Sequence, residues 1–179
     1  MKRAFNFTSL LVFCLFMLFS CAPPSQYDVV RVVDGDTIII SYKGKNERIR
    51  LLCIDTPESV HPEESKNTPL GKIASGYTTG RLTGKTVTLE FEKEERDRYG
   101  RLLAYVIVEK KNFNLELIRL GLSPYHTAYG RSKKYDQEFK DAEKKAQYKK
   151  LGIWTDPEFL EKYQKTRTKK KGKKQDGNG

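Results

Sequence analysis

The sequence has few residues that staple a chain or bind soft metals. Its 179 residues include three Cys, two His, two Met and one Trp. Cys14 lies in an apolar leader, Cys21 closes that leader, and only Cys53 falls in the body of the chain, so no disulfide framework is available there. His61 and His126 form no cluster with cysteine at zinc spacing, which argues against a transition-metal site. Long apolar runs are also missing. The single candidate, Leu10–Phe19, is too short to span a bilayer comfortably. There is no internal repeat.

Acidity is the other deficit. The chain carries 34 Lys and Arg against 23 Asp and Glu, a net charge of +11. That balance favours polyanions, nucleic acid first and an anionic membrane second. The charge is uneven: the first twenty residues hold +2 and residues 165–179 hold +6, which leaves only +3 for the middle. Affinity of the middle for anions must therefore come from individually placed residues. Hydrophobic content of 37% and charged content of 32% describe one polar globular domain.

Lys2 and Arg3 followed by Leu10–Phe19 read as an export leader over residues 1–20. Leu18-Phe19-Ser20-Cys21 resembles a bacterial lipobox, with Cys21 as the lipidated first residue of the mature chain; Phe19 departs from the small residue usual there. The alternative is an ordinary secretory signal cut near the same place. Residues 21–26 contain Pro23-Pro24 and form a short stiff tether. Both readings take the domain out of the cytoplasm.

Tyr27–Val33 predicts a first strand, and Thr37–Tyr42 and Glu47–Ile54 a hairpin turning at Gly44. Ser59–Pro69 is a loop holding His61. Thr68 and Pro69 open a helix to about Leu82, with Leu70, Ile73, Ala74 and Tyr77 as its apolar stripe. Lys85–Lys93 alternates as a strand, Gly100 marks a charged turn, and Leu102–Val108 is an apolar strand. Phe113, Leu117 and Leu120 stripe a short helix, and Tyr135, Phe139, Ala142 and Ala146 a longer one over Ser132–Lys150. Ile153 and Trp154 fold back on the core. The domain spans 27–155, and residues 156–179 form a basic, disordered tail. Five short antiparallel strands with about three helices make this an α+β chain built on a small barrel.

The stretch Asp34–Glu58 organises the rest. A hairpin returns its far end to its near end, so Asp34 and Asp36 meet Asp55 and Glu58 in space. Arg50 sits among apolar neighbours in the second hairpin strand. Acidic groups beside an inward Arg suit a hard cation plus a phosphate. Asp36, Asp55 and the backbone carbonyl of Thr56, completed by water, are a donor set that Ca²⁺ accepts. Asp34 is assigned to shaping the Asp-Gly-Asp turn. Cys53 is read as a buried small hydrophobe.

VVDGDT (32–37), RLLCIDTPE (50–58) and DRYGR (97–101) occur in order. These motifs, with LGIW at 151–154, resemble the staphylococcal nuclease family over roughly residues 27–155. The resemblance implies an OB-fold barrel and a Ca²⁺-dependent, sequence-nonspecific nuclease acting on DNA or RNA and leaving 3′-phosphate ends. By the same resemblance, Asp36, Asp55 and Thr56 match calcium ligands and Glu58 the residue that orients or deprotonates water. Arg50 and Arg101 match the pair that brackets the phosphoryl group. Arg98 and Tyr99 become contacts to a terminal phosphate or a base, and Tyr125 and Tyr129 compete for one further position. His126 is read as a loop histidine. Two other readings stand beside this one: the same barrel as a non-catalytic nucleic-acid-binding module, and an adhesive surface lipoprotein that holds polyanions with its Lys-rich tail.

Overall fold

The computed structural model describes residues 25–59 and 67–165. The leader, residues 21–24 of the tether with Cys21, residues 60–66 of the loop with His61 and the tail from 166 onward lie outside the described residues; Gln26, expected in the tether, instead opens the first strand. Strands β1 (Gln26–Asp34), β2 (Thr37–Tyr42) and β3 (Lys45–Leu51) form an antiparallel meander. The β2–β3 turn is two residues long, and Lys43 (φ 49°) and Gly44 (φ 76°) both have positive φ, the requirement of a tight primed hairpin turn. Helix α1 (Pro69–Leu82) follows, then β4 (Thr86–Arg96), β5 (Leu102–Val108), the two-residue β6 (Lys111–Asn112), α2 (Phe113–Arg119) and α3 (Asp136–Tyr148).

β1 pairs with β4, and β4 with β5. The barrel then closes through β3 against β5, and this pair is parallel: Ile49, Arg50 and Leu51 face Leu102, Leu103 and Ala104. The expected all-antiparallel sheet is corrected here. Five strands in the order β3-β2-β1-β4-β5, each antiparallel to the next, leave the two outer strands running the same way, so closing the sheet makes a parallel pair. The inner faces of β2, β3 and β5 supply the centre of the core, with Ile38, Ile40, Ile49, Leu51, Leu102 and Val106 almost wholly buried.

Four further expectations change. β3 stops at Leu51, short of Ile54, because the Arg50 guanidinium takes the Leu51 and Ile54 carbonyls. Cys53 is consequently in a turn, with φ 64°, although it is buried as expected and burial pushes its thiol up to about 11. Helix α1 is capped by Thr68 and begins at Pro69 as predicted, but it buries Gly71, Ala74, Thr78 and Leu82, and Ile73 is 56% exposed. Small residues face inward because the helix lies close over the β1–β2 turn. Helix α3 begins at Asp136, since Ser132 Oγ accepts the Tyr135 N–H and holds 132–135 in a turn.

The ordered chain also passes residue 155. A single 3₁₀ turn, Gly152–Thr155, buries Ile153 and Trp154, and a fourth helix, α4, runs over 157–165. Phe159, Leu160 and Tyr163 pack on Trp154, with ring centroids 5.5 Å and 5.0 Å away for Phe159 and Tyr163. Three apolar residues at helical spacing give this segment a face to bury.

Candidate active site

The site begins at the β1–β2 turn. Asp34 Oδ1 accepts its neighbour's N–H from Gly35 at 2.7 Å and the Ser59 hydroxyl at 2.5 Å, so Asp34 shapes the turn as expected. Gly35 is required by space: a Cβ there would lie 2.7 Å from Thr56 Oγ1 and 3.0 Å from the Ala74 Cβ. Thr78 Oγ1 on α1 donates to the Gly35 carbonyl at 2.8 Å. The turn is thus pinned between α1 and the 53–56 segment.

Arg50 joins the two acidic ends of the hairpin. Its Nη2 lies 3.0 Å from Asp36 Oδ2 and 2.7 Å from Asp55 Oδ1. Its Nη1 donates to the Ile54 carbonyl at 2.9 Å and the Leu51 carbonyl at 3.2 Å. Asp36 Oδ2 also accepts the Thr56 N–H at 3.0 Å. Asp36, Arg50, Asp55 and Thr56 therefore touch one another. The Arg50 fork is not simply open to a ligand: its side chain is 8% exposed, and Nη1 is spent on backbone. Asp55, at 51%, faces solvent.

Burial pushes the Asp36 carboxyl up to about 6; Arg50 opposes this and the Asp55 charge adds to it. Positive charge at this point would relieve the burial. Thr56 Oγ1, beside it, is buried without a partner. Among the described residues no three or more His, Cys, Asp and Glu side chains are grouped so as to hold a metal ion by themselves. The donor set is two carboxylates and backbone oxygen, which fits a hard cation that keeps water in its shell.

Glu58 lies outside this knot. Its backbone carbonyl accepts the Thr68 N–H at 3.0 Å, at the start of α1. A Cβ on Gly71 would sit 2.0 Å from that carbonyl oxygen, so only Gly lets the 57–58 backbone cross the helix here. The Glu58 carboxylate is exposed and has no hydrogen bond or ion pair among the described residues.

Arg101 enters from the β4–β5 turn. Asp97 organises that turn: its Oδ1 accepts the N–H groups of Tyr99 at 2.9 Å and Arg101 at 3.0 Å, and its Oδ2 accepts Arg101 Nε–H at 2.7 Å. Gly100 takes φ 79° to complete the turn. With Nε held, the far end of the guanidinium projects, and Nη2 donates to Tyr129 Oη at 3.4 Å. Burial pulls the Arg101 guanidinium down, but the Asp97 bonds, with Asp36 among the further negative charges, hold it above its ordinary value.

Tyr99 is 67% exposed. The guanidinium carbons of Arg98 and Arg101 lie 4.8 Å and 5.6 Å from its ring centroid, and Arg98 Nη2 donates to its hydroxyl at 2.6 Å. The two loop tyrosines part company. Tyr129 stands beside Arg101, whereas Tyr125 packs on Phe139 at 5.3 Å, accepts the Ser132 N–H and donates to Asp136. Of the pair, Tyr129 is the one beside Arg101, and both polar contacts of the Tyr125 hydroxyl are structural.

Two residues near the site, Asp97 and Ser123, went unassigned in the sequence, and a third, His126, was read only as a loop histidine. Asp97 was inside a quoted motif, and its placement four residues before Arg101 was the available signal. Ser123 Oγ accepts the Asp55 N–H at 2.7 Å, and His126 Nδ1 lies 3.5 Å from Asp55 Oδ2. Nothing in local sequence could reveal these last two, because the chain brings them in from some seventy residues away.

Comparison with known proteins places this geometry. Residues 48–156 match the family described as staphylococcal nuclease homologue. The chain is 44% identical over 136 residues to a thermonuclease of Staphylococcus hyicus, covering 76% of this chain and 79% of that one. It is 46% identical over 129 residues to a thermonuclease of Staphylococcus intermedius, covering 72% and 76%. Endonuclease YncB of Bacillus subtilis is 39% identical over 126 residues, 70% of this chain and 59% of that protein. The match runs from β3 through the 3₁₀ turn and takes in Arg50, Asp55, Glu58 and Arg101, and on it the chain belongs to the staphylococcal nuclease family.

Proposed function

We propose that this protein is a nuclease that hydrolyses phosphodiester bonds of DNA or RNA without sequence preference, depends on Ca²⁺ and leaves 3′-phosphate ends. The observation that carries the reading is the meeting of Asp36 and Asp55 on Arg50 Nη2, with Arg101, anchored by Asp97, near enough to feel the Asp36 charge. Asp36, Asp55 and the Thr56 carbonyl would hold Ca²⁺, which supplies positive charge for the phosphoryl group. Glu58, its carboxylate exposed and without a bond among the described residues, accepts a proton from a water and orients it for in-line attack. The unspent N–H groups of Arg101 meet the equatorial phosphate oxygens, where charge grows in the transition state, and Arg50 Nη2 would join them once Asp36 and Asp55 turn from it to the metal. Tyr99, Arg98 and Tyr129 line the approach and take a flanking phosphate or a base face; stacking on an aromatic is worth about 1–3 kcal/mol and tolerates any base.

The reading includes export, with a lipid anchor at Cys21 holding the domain to the membrane. No helix among the described residues is long and apolar enough to cross a membrane. The decisive test is hydrolysis of single- and double-stranded DNA and of RNA with calcium and with excess EGTA. Cleavage that requires calcium supports the proposal, and undiminished cleavage in EGTA overturns the metal assignment. Tight binding without cleavage under any metal would leave a binding module instead.

A further inference from the structure

Beside Arg101 an open cleft of about 410 Å³ is lined by Glu47, Arg48, Tyr99, Gly100 and Arg101. Of these, Arg48 and Glu47 belong to neither the knot around Arg50 nor the approach described above. Glu47 is neutralised, since Arg96 Nη1 and Nη2 each lie 3.1 Å from one of its carboxylate oxygens. Arg48 is exposed and makes no hydrogen bond or ion pair among the described residues. The cleft therefore has one compensated acid, one unengaged guanidinium, and the projecting end of Arg101. Its chemistry is that of an anion site with an aromatic wall.

The position of Arg48 gives the cleft a direction. It lies two residues before Arg50 on β3, so the two side chains leave the same face of the strand. The parallel β3–β5 pairing sets the start of β5, just after Arg101, beside Ile49. An anion at Arg48 is thus next along the barrel surface from one held between Arg50 and Arg101. An exposed guanidinium with all its N–H groups free can grip phosphate by two parallel bonds.

We infer that Arg48 holds a second phosphate of a polynucleotide strand running through this cleft, so that the protein grips a chain several nucleotides long rather than a single phosphodiester. The inference rests on the nucleic-acid reading above and deepens it. A nearby arginine supplies the control. Arg31 on β1 is also exposed and unpaired among the described residues, and it shares a cross-strand row with Arg48 through Ile39. Arg31 adds the same charge to the same face but does not line the cleft.

The test measures binding of fluorescently labelled thymidine oligonucleotides in EDTA, which prevents cleavage, across a series of salt concentrations. An octanucleotide and a dinucleotide are compared on wild type, Arg48→Ala, Arg48→Lys and Arg31→Ala, each checked for folding by Trp154 fluorescence. Each phosphate contact on a single strand adds about 0.7 to the slope of log affinity against log salt. Arg48→Ala is expected to lower the octanucleotide slope by about 0.7 while leaving the dinucleotide slope in place, and Arg48→Lys to restore it. An unchanged slope in Arg48→Ala overturns the inference, as does an equal fall in Arg31→Ala, which would mark a general field rather than a built contact. Wild-type protein that binds neither oligonucleotide overturns the inference, and if it also fails to cleave nucleic acid with calcium the nucleic-acid reading falls with it.

Discussion

Asp97 holds Arg101 by both ends of one residue: its Oδ2 accepts the side-chain Nε–H at 2.7 Å and its Oδ1 the backbone N–H at 3.0 Å. The guanidinium is aimed before any substrate arrives. Arg101→Lys keeps the charge but loses the planar fork and the Nε anchor. We expect kcat to fall by about 10²-fold or more with KM little changed, as for removal of one preorganised donor. Single-turnover rates on folded variant check this. A raised KM with kcat spared would make Arg101 a ground-state binder.

The same pair predicts a pH effect. Burial acts to raise the Asp97 carboxyl, and the bonds from Arg101 and Tyr99 outweigh it, so the group is held below its ordinary value of 3.8. Below that value the unfolded chain takes up the proton more readily than the folded one. Asp97 therefore contributes stability that is complete above about pH 4 and is lost as pH falls through the folded-state pKa. Denaturant titrations from pH 5 downward should show a shallower acid loss in Asp97→Asn than in wild type.

Glycines on α1 should divide by what faces them. Gly71→Ala puts a methyl 2.0 Å from the Glu58 carbonyl oxygen, and either the helix or the Glu58 segment must move. We expect a loss of about 1–3 kcal/mol by overpacking, together with a fall in kcat from a residue that never touches substrate. Gly76 and Gly80 have nothing within 4 Å of the added methyl. Gly76→Ala and Gly80→Ala should each raise stability by about 0.5–1 kcal/mol and leave kcat alone. Thermal unfolding and initial rates on the three variants decide it.

Helix α4 should matter to the fold although it lies past the last family motif. Tyr163 Oη donates to Glu143 Oε1 at 3.0 Å, and that oxygen also accepts the Tyr125 N–H at 2.8 Å. Ending the chain after Thr155 removes Phe159, Leu160 and Tyr163 from Trp154, an expected cost of about 2–4 kcal/mol with red-shifted Trp154 emission. Tyr163→Phe keeps the ring and should cost only about 1 kcal/mol. Ending the chain after Lys165 should leave stability unchanged.

Sequence reading went furthest where spacing is short. The hairpin, the Thr68–Pro69 helix start and the Gly100 turn depend on residues a few places apart, and each is in the structure. The meeting of Asp36 with Asp55 was also legible, because a hairpin forces it. The parallel closure was not, since period-2 patterning marks which face of a strand is buried and says nothing of its partner's direction. The inward face of α1 was misjudged at one position for a related reason: hydrophobic size points to Ile73, which is exposed, whereas close approach to the Gly35 turn selects Ala74 and Thr78 and the crossing Glu58 carbonyl selects Gly71. Tyr125 and Tyr129 differ only in what α3 and Arg101 offer them, and neither is near in sequence.

The β3–β5 seam joins three residue pairs across about fifty residues of chain. Contacts of such separation, like those between β1 and β4, carry a high loop-closure cost and form late. The hairpin, α1 and the β4–β5 pair can each assemble before the seam exists, but Arg101 reaches the side of Arg50 only when it does. Enzymatic competence is therefore acquired at the end of folding, after most helix and strand signal has returned. In a refolding experiment, recovery of activity should lag recovery of far-ultraviolet circular dichroism, and variants that weaken only this seam should lengthen the lag.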